Sequence, residues 1–237
     1  MDSGEDIKQE AITFIKKNKS LLISTFADLS VCPAADKPVT YFMAGSPGAG
    51  KTEVSKRFIN GLEKRNKNFK AVRIDADEIK EIIPSYDKTN SDLVQNGASL
   101  GVQKLYDYCL DKKQNVLVDN TFSNFGISCN NIERSLKRGR EVGIIYIYQD
   151  PLLAWDFTKS RGLVEGRYIP KDFFIESFFN AKNNVDKVKQ IYGEKVNVFL
   201  VIKSYTNGIE KTHFNVDEID NYIKIVYDHK LLEEKLC

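Results

Sequence analysis

The sequence predicts an α/β fold: a five-stranded, mainly parallel sheet with helices on both faces and one further helix ahead of it. Short apolar runs rich in β-branched and aromatic residues alternate with longer segments of helical period. The runs are continuously apolar rather than alternating, as strands buried on both faces are. A glycine-rich loop follows the first run and opens the first long helical segment, the order of a strand–loop–helix unit.

From Ile7 to Phe26, apolar residues recur at Ile7, Ala11, Phe14, Ile15 and Leu22, a helical period with lysines on the other face. Two prolines make Cys32–Pro38 a loop, since neither fits a helix interior or a central strand. Residues 1–38 therefore read as a helical extension, and residues 39–237 as the main domain. Strands are predicted at Val39–Ala44, Ala71–Ile74, Val116–Val118, Val142–Tyr148 and Val196–Ile202. Helices are predicted near Glu53–Arg65, Asp92–Leu110, Ile127–Lys137, Leu152–Lys159 and Asp172–Tyr192. Pro151 and Pro170 suit first helical positions. Asn215-Val216-Asp217-Glu218 resembles a capping box opening a last helix that runs to the C-terminus.

At 237 residues the chain is long enough for one large core. A formal net charge of +2 supplies no bulk field toward nucleic acid or membrane. The four cysteines form no CxxC pair and there are two histidines, so free thiols are expected rather than a zinc site. No apolar run approaches the roughly 20 residues of a membrane span, and the acidic start lacks the marks of a signal peptide. The expected compartment is the cytoplasm.

The strongest motif is Gly45-Ser46-Pro47-Gly48-Ala49-Gly50-Lys51-Thr52, a full GxxxxGK[ST] match between a strand and a helix. Glycines let successive backbone N–H groups turn toward phosphate oxygens, and the helix dipole adds positive charge there. Lys51 is placed to bridge the β- and γ-phosphates of ATP and the Thr52 hydroxyl to ligate Mg²⁺. This is a P-loop NTPase arrangement. Neither DxxG nor NKxD follows at the places a GTPase needs them, which leaves a small-molecule kinase as the better fit.

The second strand ends in Ile74-Asp75-Ala76-Asp77-Glu78, on the same sheet edge as the loop. Asp77 is the candidate general base for an attacking hydroxyl, and Asp75 suits a helix cap. The third strand ends in Asp119-Asn120-Thr121. Asp119 resembles an acid that holds Mg²⁺ through water, but it also suits substrate hydroxyls or a cap. Arg161 and Arg167 flank Gly162–Gly166 and suit a lid near residues 160–170, since guanidinium forks stabilise the charge of a phosphoryl-transfer transition state. Arg134, Lys137, Arg138 and Arg140 read as a solvated helix end.

Four motifs in order resemble the zeta toxin family, the kinase half of epsilon/zeta-type toxin–antitoxin systems. They are Phe42–Thr52, Ile74–Lys80, Asp119-Asn120-Thr121 and Gly166-Arg167-Tyr168-Ile169-Pro170. The resemblance implies ATP-dependent phosphorylation of a hydroxyl on UDP-N-acetylglucosamine, with a protein antitoxin as a partner. It places the base on Asp77, the loop lysine on Lys51 and the phosphate-binding arginines on Arg161 and Arg167. It places substrate contacts on Gln103, Asp119 and Thr121. The family's Glu-Gly-Thr or Asp-Gly-Thr stands here as Asp119-Asn120-Thr121, and a helical glutamate stands as Gln103. Both departures touch the acceptor side, so another metabolite acceptor is the alternative; a non-catalytic ATP-binding switch is the remaining one.

Overall fold

A computed structural model describes residues 4–165, 168–204 and 208–236. Its element order is α1 (Gly4–Lys17), α2 (Lys19–Phe26), β1 (Val39–Ala44), α3 (Lys51–Arg65), β2 (Ala71–Asp75), α4 (Ala76–Lys80), α5 (Gln95–Asp111), β3 (Asn115–Asp119), α6 (Phe125–Leu136), β4 (Glu141–Tyr148), α7 (Pro151–Glu165), α8 (Lys171–Tyr192), β5 (Val196–Lys203), β6 (Ile209–Phe214) and α9 (His229–Lys235).

The sheet has six strands, in the order β2-β3-β1-β4-β5-β6, rather than five. The first five are parallel, and β6 adds to β5 in antiparallel fashion. Largely exposed and carrying Glu210, Lys211 and His213, β6 lacks the buried apolar run that marks the other strands. It forms because its backbone completes the hydrogen bonds of β5, which composition does not reveal.

Each interior strand sends alternate residues to opposite faces, and two separate cores result. Phe42 and Ala44 of β1 join one core with Leu105 and Tyr106 of α5, Ile132 of α6 and Val185 of α8. Met43 joins the other with Val54 of α3, Leu117 and Ile145. Gly143 makes room on that second face, where a Cβ would come within 2.8 Å of the Tyr41 ring.

The N-terminal period is realised as two helices rather than one. The Asn18 side chain donates to the Phe14 carbonyl, and the break falls there. Ala11, Ile15 and Leu22 are buried in the same core as α5. At Gly97 a Cβ would lie 2.8 Å from the Ala11 backbone, so glycine permits that close packing of α1 on α5.

The segment after Phe214 does not open a long last helix. Asn215 has φ +53°, the Val216 N–H donates to the Val198 carbonyl, and Ile219 N–H donates to Asp186 Oδ1. Val216, Ile219 and Ile223 are buried in the main core. These contacts hold a single 3₁₀ turn at Ile219–Asn221, and the helix begins later, at His229. Arg140 also departs from the solvated helix end read in the sequence. It is 3% exposed and donates to Thr40 Oγ1, the Val39 carbonyl and the Gln114 carbonyl, tying together the starts of three neighbouring strands.

Candidate active site

The phosphate loop leaves β1, whose neighbours on either side are β3 and β4. Gly45, Gly48 and Gly50 have φ of 140°, 73° and 81°, values that L side chains rarely adopt. Gly50 lies directly before the first residue of α3, Lys51. The Gly45 N–H donates to the Thr121 carbonyl at 3.1 Å, so the loop is fastened to the polar segment after β3. Lys51 Nζ donates to the carbonyls of Gly45 (3.0 Å) and Ser46 (2.7 Å), folding back over its own loop.

Gly48 has a second function. A Cβ there would lie 2.0 Å from the Ala154 carbonyl oxygen and 2.6 Å from Thr158 Oγ1, both on α7. The loop therefore packs directly against α7, whose Ala154 and Thr158 are buried. One turn further along α7 stands Arg161, exposed, with Nη2 at 3.9 Å from Oδ2 of Asp77. Arg161 thus belongs to a helix that continues to Glu165 rather than to a loop. Arg167 lies outside the described residues.

Asp77, read in the sequence as the base, and Asp75, read as a cap, differ in their bonds. Asp75 caps α4, accepting the Asp77 N–H on Oδ1 at 2.9 Å, and its Oδ2 accepts from Arg73 at 2.8 Å. Asp77 stands on the first turn of α4 with its side chain about one-third exposed. Its Oδ1 accepts from Lys80 Nζ at 3.2 Å. Lys80 is buried, and its ammonium also donates to Ser91 Oγ at 2.8 Å.

Asp119 lies opposite Asp75 in the register of β2 and β3. Two carboxylates side by side need a cation, and Arg73 supplies it, donating Nη1 to Oδ2 of both and Nη2 to Glu78. Burial opposes the charge on Arg73, but the bond to Asp75 and the charges of Asp75, Glu78 and Asp119 outweigh it and raise its pKa. Ser55 Oγ lies 2.9 Å from both Asp119 Oδ2 and the Thr52 carbonyl, two acceptors that share its single proton. Burial, then the charge of Asp75, pushes the Asp119 carboxyl above its ordinary value; Lys51, Ser55 and Arg73 work against that shift.

Thr121 shares a 2.8 Å hydroxyl contact with Ser123. Asn120, just before Thr121, leaves its buried Oδ1 without a protein partner. Gln103 is exposed on α5. Sequence reasoning missed Arg73 and Lys80. The signal for Arg73 is an arginine inside an otherwise apolar strand two residues before an acid, a pattern that needs a carboxylate partner.

Among the described residues, no group of three or more His, Cys, Asp or Glu is arranged to hold a metal by itself. Magnesium bound through triphosphate oxygens needs only one or two protein ligands, and Thr52 and Asp119 meet that requirement in kind. No helix among the described residues is long and apolar enough to cross a membrane. A cavity of about 410 Å³ lined by Asp36, Lys113, Arg138 and Arg140 lies at the opposite edge of the sheet, where the strands begin, away from the phosphate loop.

A family model described as Zeta toxin matches residues 24–218. No curated protein matches the sequence. Among solved structures, the chain is similar to one from the PezAT chromosomal toxin–antitoxin system of Streptococcus pneumoniae. There the TM-score is 0.68 at 14% identity, covering 94% of this chain and 92% of that one. It is also similar to AvrRxo1-ORF1:ORF2 with ATP, at TM-score 0.62 and 13% identity over 94% of this chain and 74% of that one. The same complex with sulphate ions gives 0.61 and 13% over the same shares. Identities this low establish likeness of fold.

Proposed function

The chain belongs to the zeta toxin family, and from that premise we propose that it is an ATP-dependent kinase for a hydroxyl of UDP-N-acetylglucosamine or a related nucleotide sugar. One observation carries the reading: a helix packed on the phosphate loop through Gly48 brings Arg161 to within 3.9 Å of Asp77. A phosphate-binding loop, a carboxylate and a guanidinium thus converge on one sheet edge, where ligands bind in such sheets. A nucleotide switch without an acceptor needs no such carboxylate.

In this reading the amides of Gly45–Thr52 and the Lys51 ammonium bind the β- and γ-phosphates. Lys51 exchanges its two carbonyl partners for phosphate oxygens. Asp77 accepts the proton of the acceptor hydroxyl as its oxygen bonds to the γ-phosphorus. The bond from that phosphorus to the β–γ bridging oxygen breaks, and ADP leaves with the electron pair. Arg161 stabilises charge on the transferring oxygens, the role that the sequence also assigns to Arg167. Thr52 and Asp119 would hold Mg²⁺, which supplies charge neutralisation of the phosphates. Asp119, Thr121 and Gln103 line the acceptor side.

Similarity to a toxin–antitoxin structure supports a protein antitoxin as partner. Co-expression of a neighbouring small gene tests this, with relief of growth arrest as the expected result. For the reaction, purified protein is incubated with γ-labelled ATP and UDP-N-acetylglucosamine. The expected result is equal amounts of ADP and a singly phosphorylated sugar nucleotide. Asp77→Asn should reduce transfer to a small residual rate and keep ATP binding. Label appearing instead on another metabolite from a cell extract would favour a different acceptor. That second reading draws on Asp119, whose Oδ2 is already engaged by Arg73 and Ser55.

A further inference from the structure

Lysine is almost never fully buried unless paired, yet Lys80 is 1% exposed. An exposed i,i+3 pair with Asp77 would be simple to build and of small consequence. Here the ammonium is instead taken out of water, which costs several kcal/mol in general and requires its bonds to be well placed. It donates to polar groups on two separate segments: Asp77 Oδ1 at 3.2 Å and Ser91 Oγ at 2.8 Å.

Ser91 is held by a built loop. Asp87 Oδ1 accepts from the N–H and hydroxyl of Thr89 and from the N–H of Asn90. Asn90 returns a bond, accepting the Asp87 N–H on Oδ1, and its side-chain amide donates to the Ser85 carbonyl. The Asn90 carbonyl then accepts from Leu93, leading the chain into α5. Ser91, 8% exposed, is therefore fixed relative to α5. Helix α4 spans only Ala76–Lys80, too short to fix a part-exposed side chain by itself. The two Asp77 oxygens consequently differ: Oδ1 is on Lys80, and Oδ2 faces Arg161.

We infer that Lys80, anchored by Ser91, is the positioning residue for Asp77, holding Oδ1 so that Oδ2 is the oxygen presented to the acceptor hydroxyl. The inference rests on the kinase reading above. Orientation of a reacting group has large leverage, because a displacement of about 1 Å can cost about 100-fold in rate.

The test uses the full chain with γ-labelled ATP, UDP-N-acetylglucosamine as acceptor, and water as second acceptor in the same assay. Lys80→Met should lower kcat about 10- to 100-fold and leave the KM for ATP within about twofold. Ser91→Ala should move kcat in the same sense by less, and Lys80→Arg should recover part of the loss. In an Asp77→Asn background, Lys80→Met should change the residual rate by less than about twofold. An equal loss in both backgrounds overturns the inference, because Lys80 then acts apart from Asp77. Wild-type kcat in Lys80→Met beside an inactive Asp77→Asn overturns it too, and leaves the kinase reading standing. A fully active Asp77→Asn, or no transfer from the wild-type chain to either acceptor, removes both. Should Lys80→Met fail to fold, Ser91→Ala and Lys80→Arg read the same split between kcat and KM; a wild-type kcat in both overturns the inference.

Discussion

Arg161 on α7 and Asp77 on α4 face each other, Nη2 to Oδ2, at 3.9 Å. The chain brings them there from opposite sides of the site. Asp77 follows the edge strand β2, whereas Arg161 lies one turn beyond the α7 residues that touch Gly48. Without nucleotide, the guanidinium has a carboxylate neighbour; a γ-phosphate would be a stronger one. Arg161→Ala should therefore lower kcat by about 100- to 1,000-fold. Arg161→Lys should not restore it, because an ammonium lacks the planar fork. Steady-state kinetics decide the point: a rise in KM at unchanged kcat would mean that Arg161 only binds substrate.

Gly48→Ala tests the seat of α7 on the loop. The added Cβ meets backbone at 2.0 Å and a buried hydroxyl at 2.6 Å, on a residue with φ +73°. Strain and overpacking together should cost about 2–4 kcal/mol. Binding of a fluorescent ATP analogue should be lost along with it. Urea denaturation and a binding titration measure the two effects, and unchanged stability would show that α7 does not rest on the loop.

Arg73→Met tests the buried hub. It leaves Asp75 and Asp119 adjacent with their common cation gone. Breaking a buried pair in this way should destabilise by about 3–5 kcal/mol. Adding Asp119→Leu should recover part of that loss, because the uncompensated charge is then removed as well. Urea denaturation of both variants checks this; no recovery would point to lost packing rather than charge.

Asp186 gives a pH signature outside the site. Burial, with the charge of Asp220 adding to it, raises its carboxyl above the ordinary 3.8, while the Ile219 N–H and Lys182 oppose the shift. A raised acid binds protons more tightly in the folded state. Its stabilising contribution is therefore full below 3.8 and is lost as pH rises through the folded value. Asp186→Asn should gain stability relative to wild type between about pH 3 and about pH 7. Urea midpoints at the two pH values measure it, and a constant difference would rule out this titration.

What the sequence disclosed follows the range of the interactions. The strand–loop–helix unit at Gly45–Thr52 is local, and so are its requirements: glycine where φ is positive, a lysine and a hydroxyl directly after. The five parallel strands were legible because burial on both faces demands unbroken apolar runs. β6 was not, since an exposed edge strand is defined by the backbone it pairs with. The capping-box reading at Asn215–Glu218 failed for a related reason. Val216 and Ile219 gain more from β5, α8 and the core than a local helix start offers.

Within the site, the sequence by itself determined the residue types and the sheet edge on which they fall. Asp75 and Asp77 are two acids in one strand–helix turn, where the sequence favoured Asp77 as base and Asp75 as cap without fixing the partners of either. Tertiary structure separated them. Arg73 and the Asp77 N–H engage Asp75, while Lys80 holds one oxygen of Asp77 and leaves the other toward Arg161. Only folding could decide this: it brings Arg161 on α7 to Asp77, Ser91 on the loop before α5 to Lys80, and Asp119 on β3 to Arg73, and the buried groups act through charges that water no longer screens.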